Sequence, residues 1–349
     1  MNPSVIFDVS VSNAKAFPFG IGNRRYIGGK SLLLKAISDS IPDHIRSDCF
    51  CDIFAGTGVV GASAFGKFKS VILNDLLYSN ENIYTGFFGG GTFSQTKLEF
   101  FRNEMENRSS NRLPHNYFSE NFSGKYFSES SAKAIGFIRE TIEDNSYDIN
   151  QRERAIVLAS LIYSADRIAN TVGHYEAYRK GVKDFKEFEF RLIAPSRDHT
   201  AEIYRKNANE LAMEIRPDVV YIDPPYNSRQ YSRFYHVLET LTKWDKPMLE
   251  GVALKPPTEN VSEYCKVGAV DALADLIQNL DTTLIIVSYN NTYNSKSSSS
   301  RNKISLKEIT SILKAKGKTR TVKIPHKHFS AGNTDFDNHL EYLFITEVL

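Results

Sequence analysis

DVVYIDPPYNSRQY, residues 218–231, runs from a β-branched apolar segment straight into an acid, two prolines and a tyrosine. The apolar residues read as a buried strand. Pro224 ends it, because proline has no amide hydrogen for the next ladder bond and fixes φ. Read blandly, this is a strand that stops at a turn. Read for function, the prolines hold Asp223 and Tyr226 rigidly over a pocket at the strand's carboxyl end, where open α/β sheets bind ligands.

The surrounding pattern favours such a sheet. Strands are expected near 49–54 (CFCDIF), 70–74 (SVILN), 283–289 (TLIIVSY), 319–325 (TRTVKIP) and 341–348 (EYLFITEV), from their β-branched and aromatic content. Helical spacing appears at 30–38, 58–66, 232–243 and 304–316. Alternating strands and helices predict an α/β domain with a mostly parallel sheet. The last two strands are joined by a short loop, so one of them runs antiparallel. Residues 89–130 are rich in Ser, Asn and Gly and weakly periodic, which reads as loop or small-domain material rather than core. Residues 151–180 read as a long amphipathic helix or a helical pair. NSKSSSSRNK, 294–303, reads as a loop.

The 349 residues, 41% hydrophobic and 24% charged, suit a folded protein with ample core rather than a disordered chain. Three cysteines cannot build a disulfide framework and suit a reducing compartment. No stretch approaches the roughly 18 apolar residues of a membrane span, and the opening residues lack a secretory pattern, so a cytoplasmic protein is expected. The formal charge of +2 is unevenly placed: residues 296–328 hold ten Lys and Arg against Glu308. That run is either a solvated face or an edge that meets phosphates.

DIFAGTGVVGASAF, 52–65, ends an apolar run at Phe54 and then offers Gly56 and Gly58 for a tight turn into a helix. Such a turn brings backbone amides close to a ligand. The spacing fits G-x-G-x-x-G poorly, although Gly61 stands at the third position, and a plain tight turn stays open on these residues alone. Asp75 follows strand 70–74, where an acid can hydrogen-bond the ribose of an adenosine-containing ligand or cap a helix. RRYIGGKSLLL, 24–34, closes in GKS, but a phosphate loop needs glycine where Arg24 stands and a strand before it. That reading is rejected. Gly28 and Gly29 then open a helix, with Lys30 placed to meet a carboxylate or carbonyl.

The blocks YIGGK, FAGTG, Asp75 and DPPY occur in that order, and in this the sequence resembles the class-alpha, Dam-type adenine-N6 DNA methyltransferases. DPPYNSRQYSRFYHVLET and ADRIANTVGHYEAYRK are similar to a subgroup associated with restriction–modification systems. The resemblance covers most of the chain and is weakest over 89–150. It implies a Rossmann-like methyltransferase sheet, mostly parallel with one antiparallel strand. Residues 1–88 and 201–349 would form the catalytic domain, and 89–200 an inserted, largely helical target-recognition region. It implies S-adenosyl-L-methionine as cofactor, with Tyr26, Gly28, Gly29 and Lys30 against it. Phe54, Gly56 and Gly58 would line its methionine portion, and Asp75 its ribose. Asn207 stands where the family often has an acid that reads the cofactor's adenine. SYNN, 288–291, matches a later strand end near the target base. Double-stranded DNA is the implied partner, bound by a monomer and shared with a cognate restriction endonuclease. Arg229 and Arg233 are candidates for its phosphates.

The DPPY residues suit that reaction. The N6 amine of adenine is a poor nucleophile because its lone pair is delocalised into the ring. A carboxylate of reference pKa about 3.9 is too weak a base to deprotonate it in advance. Asp223 can instead accept one amine hydrogen while the Pro224 carbonyl accepts the other, which favours a pyramidal nitrogen aimed at the methyl donor. Pro225 keeps the acid and the ring in fixed relation. Flipping a base out of a duplex costs a few kcal/mol, and stacking on Tyr226 returns roughly 1–3 kcal/mol.

No metal is needed, and His326 with His328 lacks further ligands. No Ser–His–Asp arrangement is evident, and no cysteine stands where cytosine-C5 methylation would need a nucleophile. Two alternatives stay open: methylation of RNA adenine or a protein amide with the same bracket, and a non-catalytic protein that binds the cofactor and DNA.

Overall fold

The computed structural model describes residues 18–109, 112–291, 301–325 and 340–349. Within it, Val219–Ile222 (β4) is the middle strand of a seven-stranded sheet. The other strands are Cys49–Asp52 (β1), Ser70–Asn74 (β2), Glu202–Tyr204 (β3), Leu284–Asn290 (β5), Gly317–Pro325 (β6) and Leu340–Val348 (β7). Their spatial order is β3-β2-β1-β4-β5-β7-β6. All pairs from β3 to β5 are parallel, and β7 runs antiparallel to both β5 and β6. The expected α/β sheet with one antiparallel strand is present.

Every residue of β4 is buried, as a parallel strand covered on both faces should be. Val219 and Tyr221 face one core, Val220 and Ile222 the other. Leu34–Asp39 (α1), Val59–Ala64 (α2) and Tyr78–Phe88 (α3) lie early in the chain. Gln95–Ser109 (α4), Tyr117–Phe122 (α5), Glu129–Asp144 (α6) and Gln151–Ile168 (α7) fill the stretch between β2 and β3. Ala208–Ala212 (α8), Tyr231–Phe234 (α9), His236–Lys243 (α10), Ala269–Asn279 (α11) and Leu306–Lys316 (α12) follow. The core on the Val219 side includes residues of α3 to α7, α9 and α10, and that on the Val220 side residues of α8, α11 and α12.

Two expectations about the middle of the chain are corrected. Residues 89–130 are not loop material outside the core: α4 and α5 lie there, and Leu98, Phe101, Met105, Phe118, Phe122, Tyr126 and Phe127 are buried in the same core as Val219. These few large side chains suffice because each buries much apolar area, so a polar average conceals the packing face. The segment 151–180 is one helix ending at Ile168, followed by irregular chain. The helix at 232–243 is broken at Tyr235 into α9 and α10.

The basic run falls partly on α12 and β6. β6 is an edge strand with Lys318, Arg320 and Lys323 exposed, and charged residues there discourage pairing with other chains. His326, His328 and most of the 294–303 stretch lie outside the described residues.

Candidate active site

β4 ends at Ile222, so Asp223 emerges at the carboxyl edge of the sheet's middle strand. Its side chain is 15% exposed. Lys30 Nζ lies 2.8 Å from Oδ2, and the Tyr226 hydroxyl donates to Oδ1. Burial raises the Asp223 pKa, and the Lys30 ammonium and the Tyr226 hydroxyl oppose that rise. Burial also penalises the Lys30 ammonium, but Asp223 and Glu341 outweigh it and lift its pKa. The net result for Asp223 is still a raised pKa, and each partner favours the other's charged form.

Tyr226 is fixed from several sides. Its carbonyl accepts the Lys303 amide at 2.8 Å, and its ring packs edge-on against Tyr289 of β5 with centroids 4.6 Å apart. Lys30 Nζ stands 5.1 Å from its centroid. Pro224 is buried and Pro225 half-buried between the acid and this ring.

The YIGGK block reaches the same place through its aromatic contacts. Tyr26 stacks on Tyr235 with centroids 4.7 Å apart and planes 5° from parallel. Tyr231 donates its hydroxyl to the Ile27 carbonyl at 3.1 Å, and the Ile27 amide donates to the Tyr235 hydroxyl at 2.8 Å. Arg24 donates to Asn80 at 2.5 Å and lies over the Tyr26 and Tyr235 rings. These clamps hold Gly28 and Gly29 in a turn whose Gly28 carbonyl accepts from Lys30 at 2.9 Å.

The glycine turn lies against Tyr26. Gly56 and Gly58 adopt φ of +54° and +79°, conformations costly to residues with a Cβ. A Cβ on Gly56 would stand 3.1 Å from the Tyr26 ring. The Gly56 amide donates to Asp75 Oδ2 at 3.0 Å, and the Leu77 amide to Oδ1 at 2.9 Å. Asp75 thus ties β2 to the turn and stabilises the entry to α3. Phe54 packs edge-on against Tyr264 at 5.0 Å.

YIGGK, the glycine turn, Asp75 and DPPY therefore meet at one sheet edge. Three other expected residues make contacts of their own. Asn207 is an exposed cap on α8, accepting the Asn209 amide at 2.9 Å. Arg233 donates to the Pro256 carbonyl at 2.8 Å, and the Arg229 guanidinium lies 5.8 Å from the Phe234 centroid. In the SYNN stretch, Asn290 is joined to Asn302, and Asn291 accepts the Leu340 amide.

Sequence reasoning missed several neighbours. Asp52, at the end of β1, accepts the Gly61 amide at 3.0 Å with Oδ2, while Oδ1 has no partner. Burial, then the charges of Asp223 and Asp75, push its pKa up to about 8. Glu341 begins β7 with Oε1 3.9 Å from Lys30 Nζ, and burial pushes it up to about 7. Tyr231 and Tyr235 had a signal in their helical spacing and in their closeness to DPPY. Glu341 had none, because an acid before YLFITEV reads as an ordinary strand start.

A buried carboxylate held between an ammonium and a phenol, beside a strained glycine turn, is suited to accepting hydrogen bonds from a ligand amine. The family model of the D12 class N6 adenine-specific DNA methyltransferases matches residues 26–320. The chain is 33% identical to Modification methylase StsI of Streptococcus sanguinis over 345 residues, 92% of this chain and 51% of that protein. It is 33% identical to Type II methyltransferase M.FokI of Planomicrobium okeanokoites over 347 residues, 92% of this chain and 52% of that protein. It thus spans about half the length of these two. Against Type II methyltransferase M.NlaIII of Neisseria lactamica it is 30% identical over 341 residues, 92% of this chain and 98% of that protein. With its four motif blocks gathered at one sheet edge and this match over most of its length, the chain belongs to the D12 class N6 adenine-specific DNA methyltransferases.

Proposed function

We propose that the chain transfers a methyl group from S-adenosyl-L-methionine to the N6 amine of an adenine flipped out of double-stranded DNA, at a specific sequence. The observation that carries this reading is Asp223, buried at the end of the middle strand, paired with Lys30 and facing the glycine-turn side of the sheet edge. The donor set there suits the cofactor. Gly56 and Gly58 present backbone where a Cβ would intrude, Asp75 offers carboxylate lone pairs, and Tyr26 and Phe54 offer aromatic surface. Tyr26, Gly28, Gly29, Lys30, Phe54, Gly56, Gly58 and Asp75 would hold it; Asn207 is retained as a weaker contact. When bound, the sulfonium supplies the methyl group.

The residues of the chain then align the amine. Asp223 accepts one N6 hydrogen and the Pro224 carbonyl the other, so the lone pair points away from both. Lys30 keeps Asp223 charged, which makes it the stronger acceptor. The Tyr226 ring takes the base face, and the prolines prevent ring and carboxylate from drifting apart. Arg229 and Arg233 follow this corner in the sequence and would steady the phosphates. Target recognition would fall in residues 89–200. The protein would act as a cytoplasmic monomer and share its site with a cognate endonuclease; its relatives include a modification methylase and type II methyltransferases.

Sequencing the methylated positions in DNA from cells that express the chain tests this. N6-methyladenine confined to one short sequence is expected. Its absence, with purified protein transferring no methyl group to any duplex, overturns the reading.

A further inference from the structure

Glu341 reaches the site by sheet topology. Because β7 is antiparallel, its amino end lies at the edge where β4 and β5 end. Glu341 pairs with Asn290 on β5 and Ile324 on β6. It shares the sheet face of Leu343, Ile345 and Tyr221, the face from which Asp223 also projects by strand alternation. Lys30 fills the space between the acids, 2.8 Å from Asp223 and 3.9 Å from Glu341. The Glu341 side chain is 6% exposed, and its Oε2 has no hydrogen-bond partner. The charged and titratable groups around it are Lys30, Asp223, Tyr226 and Tyr221; its neighbours on β5 and β6 are uncharged.

Asp52, which also acts on Lys30 and Asp223 from the end of β1, is a neutral acid below about 8 and adds no charge there, so two carboxylates sharing one ammonium leave the cluster one negative charge in excess. A buried excess charge is costly, so the cluster has room for one proton. The reaction proposed above releases one. Once N6 has gained the methyl group it has four bonds and a positive charge, and losing one N–H proton restores neutrality.

Resting on that reading, we propose that Glu341 is a positioning residue that acts through Lys30 and takes up the proton released by the methylated amine. The proton leaves N6 for Asp223. Lys30 gives one of its protons to Glu341 and takes the one on Asp223. Asp223 and Lys30 end as they began, the amine is neutral, and Glu341 is a neutral acid that later releases the proton to water. Glu341 must start ionised, and its pKa of about 7 makes it so above neutrality.

The test measures single-turnover methyl transfer to duplex DNA against pH. Wild-type rates are expected to fall as pH drops below about 7. Glu341→Gln should be slow and flat with pH, meeting the wild type near the bottom of its acid limb. Glu341→Asp, which retains a carboxyl, should recover the limb. Cofactor affinity by calorimetry should change less than about twofold in either variant, which separates this role from a loss of fold. Independently of activity, carbon NMR of the free protein labelled at glutamate should find one buried carboxyl titrating near neutrality, absent in Glu341→Gln. A wild-type rate in Glu341→Gln, an acid limb that survives in it, or no such carboxyl would overturn the proposal. A wild type that methylates no duplex would instead overturn the functional reading beneath it.

Discussion

Tyr226 donates its hydroxyl hydrogen to Asp223, so the ring expected to meet a base also sets the charge of the acid expected to hold the amine. Two substitutions separate these roles. Tyr226→Phe removes only the hydrogen bond and should slow transfer by no more than about 150-fold, given roughly 1.5–3 kcal/mol at most for a bond to a charged group. Tyr226→Ala also removes the stacking surface and should slow turnover further, while nonspecific DNA affinity, read by fluorescence anisotropy, stays near wild type. Equal losses of turnover and DNA affinity would contradict the stacking role.

Asp223→Ala should abolish measurable transfer, a loss of roughly 10³-fold or more, as for other groups that hold charge at a reacting centre. The fold should survive, because Glu341 still offers Lys30 a carboxylate. Circular dichroism and cofactor calorimetry on the variant check the second half; a transfer assay with labelled methyl groups checks the first.

Lys30→Met takes the cation out from between two buried acids. Removing one partner of a buried pair costs roughly 3–5 kcal/mol, so its urea midpoint should fall clearly. Adding Glu341→Gln should recover part of that loss, because one of the two stranded carboxyls is then gone. A double variant as unstable as the sum of the singles would mean that Lys30 and Glu341 are not coupled.

Asp52 ties stability to pH. Its carboxyl, at about 8 in the folded chain, titrates near 3.9 when unfolded. Between those values the folded chain holds the extra proton, so stability falls as pH rises, by up to about 1.4 kcal/mol per pH unit. Glu341 adds a slope of the same sign below about 7. Asp52→Asn should therefore gain steadily on the wild type as pH rises from about 4, with its advantage largest from about pH 8 upward and a flatter profile of urea midpoints. An unchanged slope would refute the assignment.

Gly58→Ala tests the turn. At φ +79° an added Cβ would lie 2.9 Å from Ile21 and 3.0 Å from the Tyr84 ring, and Tyr84 donates to the Gly56 carbonyl at 2.8 Å. Strain of about 1–3 kcal/mol is expected. Cofactor affinity should fall with it, read by calorimetry.

The strands of this fold were legible wherever a β-branched run was long enough to imply burial: β1, β2, β4, β5, β6 and β7. β3 was not, because three residues on an exposed edge carry no period. α4 was hidden by its polar composition, although Leu98, Phe101 and Met105 stand on one helical face. The DPPY corner and the glycine turn could be read because special backbone demands special residues. The Lys30–Asp223 pair could not, since Coulomb partners from distant segments leave no spacing in the sequence. The sequence places Lys30 to meet a carboxylate or carbonyl without saying which one.

The position of β7 between β5 and β6 also governs when the cluster around Lys30 can form. Closing Glu341 onto Lys30 draws together segments near opposite ends of the sequence, the kind of distant contact whose entropic cost slows folding. During synthesis the segment from β1 to β4 can assemble while the ribosome is still building the rest. The cluster of two acids and one ammonium forms only when the late strand slides into its slot. A nascent chain halted before that strand would display the turn and the DPPY corner yet lack the finished charge arrangement.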